Sequence, residues 1–133
     1  MIRLALSALA FLAFIATAAA DTDCSTANGQ QDMNACRAES FRRTDESMRA
    51  AYKEVLTDIG PQAREALQAA QEAWLAYRKT TCSLEEMGSK GGSIQPLIYY
   101  GCMERITSER RDRLKAYYEC EDNDPSCVSE FKD

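Results

Sequence analysis

The chain has 133 residues, 45% hydrophobic and 28% charged, a mix that excludes collagenous, low-complexity and fully disordered classes and fits one globular domain. Its 21 acidic against 16 basic side chains make nucleic acid a poor partner, because affinity for a phosphate backbone comes chiefly from clustered Lys and Arg. A basic partner suits this balance better.

The first twenty residues are read as a signal peptide: Arg3 supplies a positive start, Leu4 to Ile15 is an apolar run, and Ala18-Ala19-Ala20 before Asp21 fits a small-residue cleavage site. Cleavage near Ala20 leaves 133 − 20 = 113 residues and removes only Arg3 from the charges, so 15 basic face 21 acidic, a net of −6. No later apolar run approaches the roughly 18 residues of a membrane span, so residues 21–133 are expected as a single exported, periplasmic or secreted domain. Asp21-Thr22-Asp23 before Cys24 argues against a lipid anchor at that cysteine.

All six cysteines, Cys24, Cys36, Cys82, Cys102, Cys120 and Cys127, fall in the mature chain, and an even count in a small exported protein reads as three disulfides. With no histidine and no Cys-x-x-Cys, the usual zinc spacings and a Cys–His nucleophile are absent, and no motif calls for a metal or cofactor.

In chain order, Met33, Phe41, Met48, Tyr52, Val55, Leu56 and Ile59 recur at helical spacing and predict a long amphipathic helix over Gln30 to Ile59. Glu39 with Arg43 and Asp45 with Arg49 are four apart with the acid first, the favoured orientation for ion pairs on one helix. Gly60-Pro61 ends it, glycine being expected in the left-handed position past a helix end and proline in the first turn of the next helix. That second helix is predicted from Pro61 to Met87, with Leu67, Ala70, Trp74, Tyr77, Thr81 and Cys82 on or near one face and Gly88 as its stop. Gly88-Ser89-Lys90-Gly91-Gly92 is loop chemistry, Ser93 a candidate N-cap, and Leu97, Cys102, Ile106, Leu114 and Tyr117 the buried side of a third helix ending near Tyr118. The fold expected is all-α, a three-helix antiparallel bundle stapled by disulfides, followed by a short acidic loop over residues 120–127.

Helical rise, about 1.5 Å per residue, brings Cys36, Cys82 and Cys102 to one level of such a bundle. Cys82 and Cys102 fall on apolar faces and Cys36 toward an edge, which favours Cys82–Cys102 with Cys24–Cys36; Cys36–Cys82 with Cys24–Cys102 stays open, and Cys120–Cys127 closes the acidic loop.

The segment Ala27-Asn28-Gly29-Gln30-Gln31-Asp32-Met33-Asn34-Ala35-Cys36, then Asp45 with Met48 and Tyr52, resembles the opening of the LprI-like lysozyme inhibitor domain, a family of small secreted bacterial proteins. Leu67, Ala70-Gln71, Ala73-Trp74, Tyr77-Arg78 and Cys82, then Gly91-Gly92-Ser93, then Cys102, Thr107, Arg110 and Leu114 are similar to its core pattern. The resemblance implies a helical, disulfide-bonded fold and inhibition of lysozyme without catalysis. It marks Asp45, Gln71, Trp74, Tyr77, Arg78, Ser93, Thr107 and Arg110 as the polar and aromatic motif positions.

Each position has a structural reading. Trp74 and Tyr77 at helical spacing beside Leu67 and Ala70 read as core before they read as a recognition surface. Gln71 and Arg78 share the Trp74 face, and a half-buried arginine needs a partner, for which Asp45, Glu85 and Thr107 are the candidates. Glu72, Glu85 and Glu86 read as a solvated face, since nothing holds two of them across a cleft at glycosidase spacing. Gly91-Gly92-Ser93 reads as a flexible turn before it reads as an anion loop. Glu121, Asp122 and Asp124, between Cys120 and Cys127, are the candidate contact with a basic lysozyme; a staple for the C-terminus is the plainer reading of that loop. The alternative to an inhibitor is an envelope ligand-binding or structural module that senses a small anion through Arg78 and Arg110.

Overall fold

The computed structural model describes residues 24–121 and 124–132, so the expected leader and Asp122 lie outside the described residues. Three helices follow one another, α1 (Gln30–Asp58), α2 (Pro61–Glu85) and α3 (Gln95–Tyr118), with 3-10 turns at Met87–Ser89 and Val128–Glu130 and no strand among the described residues. The chain runs up, down and up: α2 is antiparallel to both neighbours, while α1 and α3 start at the same pole. There the Asn34 side-chain amide donates to the Ser93 carbonyl at 2.8 Å, and Arg37 and the Ser40 hydroxyl both donate to Glu104. The closest helix packing is between α1 and α3.

Local chemistry accounts for most boundaries. On α1 the expected pairs form, Arg43 to Glu39 at 2.9 Å and Arg49 to Asp45 at 2.6 Å. Gly60-Pro61 separates α1 from α2, but Gly60 is not left-handed: at φ −72° it is an extended N-cap for α2, and its N–H donates to the Phe131 carbonyl at 2.8 Å. The expected cap geometry gives way because the residue before a proline is pushed to extended backbone. α2 stops at Glu85 rather than Met87, since the Ser89 hydroxyl bonds the Glu86 carbonyl at 2.9 Å and the chain tightens into the 3-10 turn. α3 starts at Gln95, with Ile94 rather than Ser93 in the cap position and no side-chain cap. Pro96 is tolerated there because the first-turn N–H groups have no intrahelical acceptor.

The core has two apolar clusters. Met48, Ala51, Val55, Ile59, Leu67 and Leu114 fill the end nearest the α1–α2 turn; Cys82, Cys102, Met103 and Ile106 fill the other. Between them the helices bury Asp45, Gln71, Arg78 and Thr107, a polar layer across the bundle, and Trp74 packs against both clusters beside it. The buried stripe of α2 is therefore Leu67, Gln71, Arg78 and Cys82, whereas Ala70 and Tyr77, expected on that face, are exposed, Tyr77 by 56%.

Every cysteine is bridged: Cys24–Cys36, Cys82–Cys102 and Cys120–Cys127, with Cα–Cα distances of 5.9, 5.5 and 5.5 Å. The last bridge does what the plainer reading of the tail expects. Beside it Cys127 is buried and Val128 packs against the first apolar cluster, and Lys132 reaches Asp58 at 2.8 Å, so the tail straps the α1–α2 turn. No helix among the described residues is long and apolar enough to cross a membrane.

Candidate functional site

The polar layer gathers buried functional groups from all three helices. Arg78 comes from the buried stripe of α2, and its Nη1 donates to Asp45 Oδ1 on α1 at 2.7 Å and to Thr107 Oγ1 on α3 at 2.8 Å, so one guanidinium ties all three helices together. The Thr107 hydroxyl in turn donates to the Met103 carbonyl at 2.6 Å. The Arg78 guanidinium carbon stands 4.6 Å from the Trp74 ring centroid and 5.4 Å from that of Phe41, where the negative ring faces attract a cation. One turn along, Arg110 Nε donates to Gln71 Oε1 at 3.0 Å, the Gln71 amide nitrogen lies 3.4 Å from the Met48 sulfur, and Arg110 faces the same Trp74 ring at 5.8 Å.

Of the motif positions, Asp45, Gln71, Trp74, Arg78, Thr107 and Arg110 meet in this layer. Tyr77 and Ser93 do not. Tyr77 points away on the exposed side of α2, and Ser93 contributes its backbone carbonyl at the α1–α3 pole. Glu85 is not a partner of Arg78; it pairs with Arg105 at 2.7 Å. Glu72 is exposed and Glu86 accepts from Gln95 at 3.0 Å, so the carboxylates of α2 lie on its solvated side. In the glycine turn, the Gly91 N–H already donates to Gln95 Oε1 and the Gly92 N–H to the Ser89 carbonyl, which removes two amides from any anion. In the tail, Ser126 donates both N–H and Oγ–H to Asp124, while Glu121 is exposed. Among the described residues no group of three His, Cys, Asp or Glu could hold a metal ion.

Two participants carried no signal of this particular role. Met48 reads as an ordinary core residue until its sulfur appears beside Gln71, and Phe41 as helix-face packing until Arg78 lies over its ring.

Electrostatics in the layer favour the charged form of Asp45. Burial pushes the Asp45 carboxyl up, but hydrogen bonds from Arg78 and Arg49 and their positive charges outweigh this and hold it below the usual carboxylate range. Burial lowers the Arg110 guanidinium, partly offset by the Tyr117 and Tyr52 oxygens, yet an arginine stays charged. On the surface, hydrogen bonds from Arg42 and Arg43 pull Glu39 down to about 2. A carboxyl depressed in the folded state contributes stability above its unfolded pKa and loses it as pH falls through the folded one. The contribution of Asp45 is therefore present at pH 7 and lost below about pH 4. Denaturant melts from pH 7 to 2.5 are expected to show this loss, with a shallower acid slope in Asp45→Asn; an unchanged slope overturns the assignment.

Residues 20–114 match the family model described as lysozyme inhibitor LprI. An uncharacterized protein of Rhizobium meliloti (strain 1021) is 33% identical over 116 residues, an alignment covering 77% of this chain and 84% of the relative. No solved structure matches the chain. The matched segment holds all three helices as far as Leu114, the Cys24–Cys36 and Cys82–Cys102 bridges and the whole polar layer, and leaves the Cys120–Cys127 strap outside. The chain belongs to the LprI lysozyme inhibitor family.

Proposed function

We propose that the mature chain, released near Ala20 into the periplasm or beyond, binds a lysozyme and covers its cleft without chemistry of its own. The observation that carries this reading is the family match over residues 20–114, which takes in the three-helix frame and its buried polar layer. Two features support it independently. Three disulfides suit an oxidising compartment outside the cytoplasm. The net charge of −6 steers the chain toward animal-type lysozymes, which are strongly basic, and such steering weakens as salt rises.

In this reading Arg78, Asp45 and Thr107 hold the binding surface in shape, and the acidic loop acts on approach. Neutralising Glu121, Asp122 and Asp124 is expected to slow association more than it speeds dissociation, because peripheral charges act mainly on the on-rate. Clearance of a bacterial cell-wall suspension by lysozyme, with increasing protein at two salt concentrations, tests the proposal. Inhibition at low salt that weakens at high salt is expected. No inhibition by oxidised protein in large molar excess rejects it.

A second reading, an envelope module that senses a small anion, draws on one observation: Arg110 Nη2 is buried without a hydrogen-bond partner beside Trp74. A bound anion stabilises the folded state by mass action, so a melting temperature that rises with phosphate concentration, in protein that fails to inhibit, selects this reading.

A further inference from the structure

The pole opposite the tail strap carries a loop held in a single shape. Ser89 N–H donates to the Glu86 carbonyl, Gly92 N–H to the Ser89 carbonyl and Gln95 N–H to the Gly92 carbonyl, a chain of successive turns. The Gln95 side chain clamps both sides, accepting from the Gly91 N–H at 2.7 Å and donating to Glu86 at 3.0 Å. Gly91 sits at φ +79°, a conformation that side chains rarely adopt. Asn34 fixes the Ser93 carbonyl from α1, and the Cys82–Cys102 bridge ties the two flanking helices together beneath the loop. A segment held in this way loses little entropy on binding.

This loop is also framed by apolar surface. Of the eight exposed large hydrophobic side chains among the described residues, four border it in the chain: Leu84 at 67%, Met87 at 64%, Ile94 and Ile98. Exposed apolar side chains gathered along one stretch of chain supply the contact chemistry of an interaction site. Within it stands Lys90, exposed, like Lys53, Lys79, Arg113 and Lys115 without a carboxylate partner among the described residues, and the one basic side chain between Leu84 and Ile98.

We propose that this loop is the part of the molecule that enters the lysozyme cleft, with the Lys90 ammonium against the carboxylates there and Leu84, Met87, Ile94 and Ile98 packed on the rim. The inference rests on the inhibitor reading and adds the contact to it. Charge decides between the two ends of the molecule. A lysozyme is basic overall, so the acidic chain is drawn toward it, but its cleft holds the two carboxylates of glycoside hydrolysis, the one place where more negative charge is repelled. The acidic tail therefore serves approach, and a lone cation on a rigid, apolar-framed loop serves the cleft. The loop lies inside the family-matched residues 20–114, whereas the acidic tail lies outside them.

Lys90→Glu and, separately, the pair Met87→Ser and Ile94→Ser test this in the cell-wall clearance assay. All three positions are exposed, so melting temperatures should match that of the unaltered protein, which separates lost contact from lost fold. Each variant is expected to require at least about tenfold more protein for half-inhibition, the scale of losing a desolvated pair or anchor. An oligosaccharide of N-acetylglucosamine occupying the cleft is expected to compete with the unaltered protein for lysozyme. Full inhibition by Lys90→Glu overturns the inference while leaving the inhibitor reading intact, whereas complex formation undiminished by the oligosaccharide overturns the inference together with the cleft-covering part of that reading. Absence of inhibition by the unaltered protein overturns that reading and this inference with it.

Discussion

Arg78→Ala is expected to cost about 3 kcal/mol of stability, the scale of breaking a buried ion pair from one side, out of the roughly 5 to 15 kcal/mol that holds a domain folded. The cost arises on three helices at once. Asp45 loses its interior partner and keeps only Arg49, whose side chain is largely in water; Thr107 loses the guanidinium bonded to its hydroxyl; Trp74 and Phe41 lose the cation over their rings. Arg78→Lys keeps the charge but not the planar group that lies over the rings, so an intermediate loss is expected. Replacing both ends of the pair, Arg78→Met with Asp45→Leu, is expected to recover most of the stability, because the desolvation of two charges disappears with them. Urea unfolding of the four proteins measures the series. An Arg78→Ala variant within about 1 kcal/mol of the unaltered chain removes Arg78 as the anchor of the layer.

That layer marks where sequence reasoning succeeds and where it stops. Arg78 with Asp45 and Thr107 was legible, because an arginine on an apolar helix face must find charge and hydrogen bonds nearby, and few acids lie within reach. The phase of α2 was less legible. Its buried stripe includes Gln71 and Arg78, and following apolar residues alone rotates the apparent face toward Ala70 and Tyr77, each one residue earlier and so about 100° away, slightly more than a quarter-turn. A buried polar layer hides itself from hydrophobic periodicity.

The bundle's ends show the other limit. Gly60-Pro61 marked the break between α1 and α2, and Pro61 itself favours the extended backbone of Gly60, but the partner of the Gly60 N–H is the carbonyl of Phe131 at the far end of the chain, a contact no local pattern encodes. The cysteines were legible for the opposite reason. Helical rise and phase place Cys82 and Cys102 at one level on facing apolar surfaces, and these are the pair that closes.

Removing that bridge is expected to be the most damaging of the three disulfide deletions. In the chain-entropy model, loops of 20, 12 and 7 residues differ by only about 1 kcal/mol across the set, each bridge contributing on the order of 2 to 3 kcal/mol, so loop length alone gives a weak ranking. Burial separates them. Cys82 is wholly buried and Cys102 nearly so, in a cluster with Met103 and Ile106, and cutting both to alanine leaves a void beside the polar layer in addition to the freed chain. Cys82→Ala with Cys102→Ala should therefore lose about 4 kcal/mol or more, against about 2 for Cys120→Ala with Cys127→Ala, whose bridge holds only the tail strap. The same bridge underlies the Lys90 loop. At temperatures where all variants remain folded, the first is expected to inhibit lysozyme more weakly because the loop is no longer held ready, while the second keeps near-normal inhibition at high salt. Equal stability losses in the two variants would show that burial of the Cys82–Cys102 pair contributes nothing beyond chain entropy. Weaker inhibition confined to the tail variant would place the contact at the opposite pole.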